Sequence, residues 1–73
     1  MVFEEFINKI ENSISEQTRN GRDQIYLPIG VILELENETP NNGKIFIEHT
    51  NERVFIDLKR LLFILERYKR INS

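Results

Sequence analysis

Apolar residues recur at helical spacing in the first segment of the 73-residue chain. Over residues 2–19 they return every three or four positions, which places them on one stripe of a helix. Asn20 and Gly21 follow, and glycine often ends helices because it adopts the left-handed conformation without a Cβ penalty. The pattern therefore predicts a helix over 2–19. Its core stripe comprises Phe3, Phe6, Ile7, Ile10 and Ile14.

A second apolar stripe at the same spacing covers residues 58–71. Asp57 precedes it and belongs to the residue types favoured at helix N-caps. Lys69 and Arg70 fall in its last turn, where cations complement the helix dipole. We therefore predict a second helix over 58–71. Its stripe comprises Leu58, Leu61, Leu62, Leu65 and Tyr68, with Ile64 and Ile71 on the flank.

Residues 25–36 alternate, with an apolar residue at every odd position. A period of two predicts a β-strand whose odd-numbered side chains face the core. Pro28 cannot donate a hydrogen bond to a neighbouring strand, so we expect this strand at a sheet edge.

Two turns and two further strands are predicted after this segment. Proline and an Asn-Gly pair within 39–43 are typical of a turn. A strand over 44–49, a short turn and a strand over 53–56 then follow, in a register that sets apolar side chains opposite each other. The predicted fold class is α+β: one domain over 1–73, built as an N-terminal helix, a three-stranded antiparallel meander and a C-terminal helix.

Composition narrows the classes of function. The chain has no cysteine and one histidine, which excludes a disulfide framework and a thiolate zinc site and disfavours other soft-ligand metal sites. No serine or threonine has a credible base partner in the sequence, and no glycine-rich phosphate loop occurs. We therefore expect no metal, no cofactor and no enzymatic activity. A domain this small often needs a partner subunit for stability, so we expect a homodimer.

The residue types also bear on location and origin. The first residues lack the basic and apolar regions of a signal peptide, and the apolar run over 61–65 is too short to span a bilayer. We expect a cytoplasmic protein that does not enter membranes. Alanine and tryptophan are absent while Ile, Asn, Glu and Arg are abundant, a bias that favours a viral or mobile-element origin.

Charge is divided unevenly along the chain. Residues 1–52 carry four Lys/Arg against ten Asp/Glu, whereas residues 53–73 carry six against two. In the C-terminal helix the cations lie opposite the leucine stripe and surround a phenylalanine. Such a face is typical of a protein-partner site or of a nucleic-acid site, unless the first helix or a second subunit covers the ring. The candidate partner-binding residues are Lys59, Arg60, Phe63, Arg67 and Arg70.

The predicted sheet has apolar residues on its outer face as well. That face is a candidate dimer interface unless a helix covers it. Its candidate residues are Tyr26, Ile32, Phe46 and Phe55. Aromatic residues on a sheet can also stack bases, but Glu34, Glu36 and Glu48 on the same predicted face would repel phosphates. Glu34, Glu36 and Glu38 alternate and could hold a hard cation, although a solvated strand edge is the favoured interpretation.

Together these patterns favour a small non-enzymatic binding protein, a homodimeric regulator, inhibitor or accessory factor that contacts an unidentified protein partner. The alternative is a nucleic-acid-binding protein that uses the basic face of the C-terminal helix.

Overall fold

The computed structural model describes residues 3–37 and 52–72. Within them the chain forms a small α+β fold with a two-stranded antiparallel sheet. In chain order the elements are α1 (Phe3–Arg19), β1 (Gln24–Pro28), α2 (Ile29–Glu36), β2 (Arg53–Asp57) and α3 (Leu58–Ile71). The α+β class is confirmed. The predicted strand over 44–49 and the turns on either side of it lie outside the described residues.

Helix α1 follows the predicted pattern and ends at the predicted residues. Phe6, Ile7 and Ile10 are buried on its stripe, and the side chain of Phe3 lies outside the described part. Gly21 has a φ of 79°, and its N–H donates to the carbonyl of Thr18 at 2.9 Å. The N–H of the next residue bonds the carbonyl of Gln17, which completes a glycine-based helix end.

The predicted strand over 25–36 is wrong beyond Pro28. Strand β1 ends there, and α2 begins at the next residue. Pro28 is the last residue of the strand and the N-cap of α2, with a φ of −58° and an extended ψ of 140°. Its missing N–H does not interrupt the β1–β2 ladder, because Pro28 and Arg53, two residues along from Tyr26 and Phe55, form a non-hydrogen-bonded pair. Residues 33–36 alternate leucine and glutamate, both strong helix formers. The predicted three-stranded meander is therefore replaced, in the described residues, by two strands that each lead directly into a helix.

The sheet itself satisfies the first N–H of both following helices. Ile29 N–H donates to the carbonyl of Glu52 at 2.7 Å, and Leu58 N–H donates to the carbonyl of Asp23 at 2.9 Å. Both bonds extend the ladder by one residue pair beyond the strands. Asp57 does occupy the predicted N-cap position, but its side chain makes no capping bond.

Helix α3 has the predicted bounds but a rotated buried stripe. Ile64, predicted on the flank, is fully buried, whereas Leu62, predicted in the stripe, is 44% exposed. The reason is α2, a helix that the sequence pattern does not predict and that packs against α3. It bonds Arg60 and Tyr68, four residues before and four after Ile64, and so lies on the side of Ile64. The core comprises Phe6, Ile7, Ile10, Ile25, Leu27, Val31, Leu35, Leu61, Ile64, Leu65 and Tyr68.

Candidate functional site

Phe63 lies on the exposed side of α3 with 54% of its surface open to solvent. Arg60 and Arg67 stand three residues before it and four after it, so all three side chains share one face of the helix. Their guanidinium carbons lie 5.5 Å and 5.8 Å from the centre of the phenylalanine ring. At these distances each cation is attracted to the face of the ring, which gives Phe63 an ordered setting although no core covers it.

Glu36, the last residue of α2, forms ion pairs with both arginines. The Arg60 Nη2 donates to the two carboxylate oxygens at 2.8 Å and 3.0 Å. The Arg67 Nη2 lies 3.7 Å from one of those oxygens and donates to the Glu36 backbone carbonyl at 3.5 Å. Sequence reasoning missed Glu36 because it placed this residue on a strand face away from α3.

The other two predicted cations complete the surface. Lys59 and Arg70 are exposed. At 100° per residue, both lie within about 40° of Phe63 around the helix axis. All five predicted partner-binding residues therefore lie on one face of α3. We call Glu36, Lys59, Arg60, Phe63, Arg67 and Arg70 the α3 patch.

A buried polar pair joins α2 to α3. Glu34 is fully buried, and one of its oxygens accepts a 2.8 Å hydrogen bond from the Tyr68 hydroxyl while the other has no partner. Burial raises the pKa of Tyr68 well above its usual range, and the hydrogen bond to Glu34 raises it further. The prediction of a solvated glutamate row on a strand edge is thus wrong for Glu34, which is buried. Glu36 is partly exposed, but it ends a helix rather than lying on a strand. Glu38 lies outside the described residues.

The candidate dimer face is only partly assembled. Tyr26 and Phe55 are opposite each other on the outer face of the sheet, with ring centres 4.8 Å apart. Ile32 lies instead on α2, where it is partly buried against the core, because the strand ends at Pro28. Phe46 and Glu48 lie outside the described residues.

Across residues 3–37 and 52–72, no three acidic, histidine or cysteine side chains come together where they could hold a metal ion. The same residues contain no helix with the length and apolar character needed to cross a membrane.

In comparisons with known proteins, no family model matches the chain, and neither the curated proteins nor the solved structures contain a significant match.

Proposed function

We propose that this chain is a non-enzymatic binding protein that docks on another protein through the α3 patch. The observation that carries the proposal is Phe63, a large apolar side chain 54% exposed between two guanidinium groups. Aromatic residues and arginine are enriched at the energetic centres of protein interfaces. Because Glu36 already orders Arg60 and Arg67, little conformational entropy is lost when a partner covers them.

The ion pairs favour a protein over nucleic acid at this patch. Arg60 directs its Nη2 at both oxygens of Glu36, so a phosphate would have to displace a carboxylate. An apolar pocket for the Phe63 ring needs no such exchange. Four cations face Glu36 and, at the edge of the patch, Glu66, which is already paired with Lys69. The patch is therefore basic, and the expected partner offers an apolar pocket with an acidic rim.

The broader role follows from this proposal and from the composition. A small protein without catalytic chemistry that occupies a partner's surface acts as a regulator, an inhibitor or an accessory factor. A viral or mobile-element origin remains the origin that the residue bias favours. Self-association stays a prediction, and light scattering of the wild-type chain tests it.

Comparative capture tests the docking site. Wild type, Phe63→Ser and Phe55→Ser are immobilised and exposed to an extract of the native host, and the protein retained by wild type is purified. Its affinity is then measured for each variant by calorimetry. We expect Phe63→Ser to weaken binding about 30-fold or more, the effect of losing a 2 kcal/mol contact. Phe55→Ser, which removes an exposed phenylalanine on the sheet, should bind as wild type does.

The free energy of unfolding separates docking from folding. Phe63→Ser should cost at most about 1 kcal/mol, because the ring is half exposed and its contacts with arginine are at the surface. Three results contradict the proposal. The first is that Phe63→Ser and Phe55→Ser bind the partner with equal affinity, and the second is that Phe63→Ser fails to bind because it is unfolded. The third is that wild type is a dimer and Phe63→Ser dissociates it. The last result would assign the patch to a second copy of the chain.

A further inference from the structure

The outer face of the sheet carries a second aromatic surface, formed by Tyr26 and Phe55. The side-chain amide of Gln17 bonds both the N–H and the carbonyl of Tyr26, at 2.8 Å and 2.9 Å. Since those groups point away from β2, Tyr26 and Phe55 form a non-hydrogen-bonded pair, in which side chains approach most closely. The two residues are 39% and 58% exposed, and their rings, tilted by 42° to each other, form one aromatic platform.

Three arginines stand around this platform. The Arg53 guanidinium carbon lies 5.7 Å from the centre of the Tyr26 ring. Arg19 and Arg22, from the end of α1 and the residues after it, line an open groove of about 530 Å³ together with Arg53 and Tyr26. No carboxylate within residues 3–37 and 52–72 forms an ion pair with any of the three. Arg60 and Arg67, in contrast, are already paired with Glu36.

The charge on this face differs from the sequence-based expectation. Glu34 and Glu36 were predicted beside the aromatic residues, where they would repel phosphates. Glu34 is instead buried against Tyr68, and Glu36 pairs with α3. Glu16 is the carboxylate that lines this groove, opposite the three arginines. Asp57 shares the exposed face of β2 with Arg53 and Phe55, and Asp23 lies beside Arg22 and Phe55, but neither carboxylate forms an ion pair with any of the three arginines.

We propose that this surface, which we call the sheet face, binds single-stranded nucleic acid. Tyr26 and Phe55 supply ring faces on which unpaired bases stack, and the arginines supply contacts for the adjoining phosphates. A duplex keeps its bases stacked on each other and cannot use such a platform. A second copy of the chain is disfavoured, because two-fold pairing would bring the arginines of both copies together. The sheet face is distinct from the α3 patch.

Fluorescence anisotropy with labelled oligothymidine and oligouridine tests the proposal. With three phosphate contacts, the logarithm of the affinity should fall with the logarithm of the salt concentration with a slope of about −2. Binding should therefore weaken about 20-fold between about 50 mM and about 200 mM salt. The difference between the two oligonucleotides shows whether DNA or RNA is preferred.

Variants separate the two kinds of contact. Arg22→Gln should reduce the magnitude of the slope by about 0.7, the value of one phosphate contact. Tyr26→Ser should lower affinity about 5- to 150-fold with the slope unchanged, since stacking carries no charge. Lys69→Gln removes one cation that is paired with Glu11 and Glu66 and does not line the groove, and it should change neither quantity. Circular dichroism establishes that each variant is folded.

Several results would overturn the proposal. One is the absence of binding at low salt by wild type, and another is equal affinity for duplex DNA or for an abasic sugar-phosphate oligomer. Equal affinity for polyglutamate would point to an acidic protein instead. If Phe63→Ser abolishes oligonucleotide binding while Tyr26→Ser does not, nucleic acid belongs to the α3 patch, and the docking proposal fails with it. If Phe63→Ser still binds the oligonucleotide, the sheet face and the α3 patch are separate binding sites.

Discussion

Replacing Tyr68 by phenylalanine removes one hydroxyl group from the interior and leaves the ring in place. The ring is almost fully buried and packs against Phe6 with centres 5.8 Å apart, so the change opens no large cavity. The lost interaction is the 2.8 Å hydrogen bond to Glu34. The other Glu34 oxygen already lacks a partner, so this bond is what compensates the buried carboxyl.

The expected cost of Tyr68→Phe is about 2–3 kcal/mol, the usual effect of leaving a buried polar group without its hydrogen bond. A core of this size supplies only about 3–5 kcal/mol, so the variant should lose much of its stability. In urea unfolding followed by circular dichroism, the midpoint should fall by about 2 M. Adding Glu34→Met should restore stability to within about 1 kcal/mol of wild type, because two apolar groups of similar volume replace the polar pair.

Measuring Glu34→Met alone completes a double-mutant cycle, which isolates the Glu34–Tyr68 interaction. An unchanged midpoint in Tyr68→Phe would refute the reasoning, since the carboxyl must then be satisfied by another group or by water. A double variant no more stable than Tyr68→Phe alone would also contradict it, because the cost would then arise from packing.

Three further predictions concern stability. Gly21→Ala should cost about 1 kcal/mol in urea unfolding, because φ is 79° while a Cβ meets nothing within 4 Å, and Gly21→Asn should lose less. Gln17→Ala should cost about 1 kcal/mol of stability and speed hydrogen exchange at the Tyr26 amide. Gln24→Ala, two residues before Tyr26 on β1, should do neither. The pKa of Tyr68 is higher in the folded state than in the unfolded chain, mainly because the hydroxyl is buried. The stabilisation that results is complete below about pH 10, the pKa of the unfolded chain. Above about pH 10 the free energy of unfolding should fall, by up to about 1.4 kcal/mol per pH unit. Tyr68→Phe should lack that loss, and Tyr26→Phe should retain it.

The two long helices could be predicted because each carries an apolar stripe over more than three turns. Helix α2 could not, since residues 29–36 fit a period of two and a helical period about equally well. Pro28 predicts an edge strand, but nothing in the local pattern shows that a helix begins at the next residue. The predicted buried stripe of α3 is wrong for the same reason, because packing of α2 buries Ile64 rather than Leu62.

The face of the candidate site was predictable, but its electrostatics were not. Phe63 stands opposite a leucine stripe, and that contradiction is visible in the sequence alone. The pairing of Arg60 with Glu36 spans 24 residues and depends on α2. The arginines of the sheet face come from α1, from the residues after it and from β2, so no local pattern shows that they converge.

Photo-crosslinking from position 63 in the native host tests the docking proposal most directly. A photoreactive phenylalanine analogue replaces Phe63 in one sample and Phe55 in a control. We predict that position 63 forms a crosslink to one other protein, that the control does not, and that the purified protein binds wild type but not Phe63→Ser. Crosslinks from position 63 only to nucleic acid, only to a second copy of the chain, or to nothing would contradict the proposal.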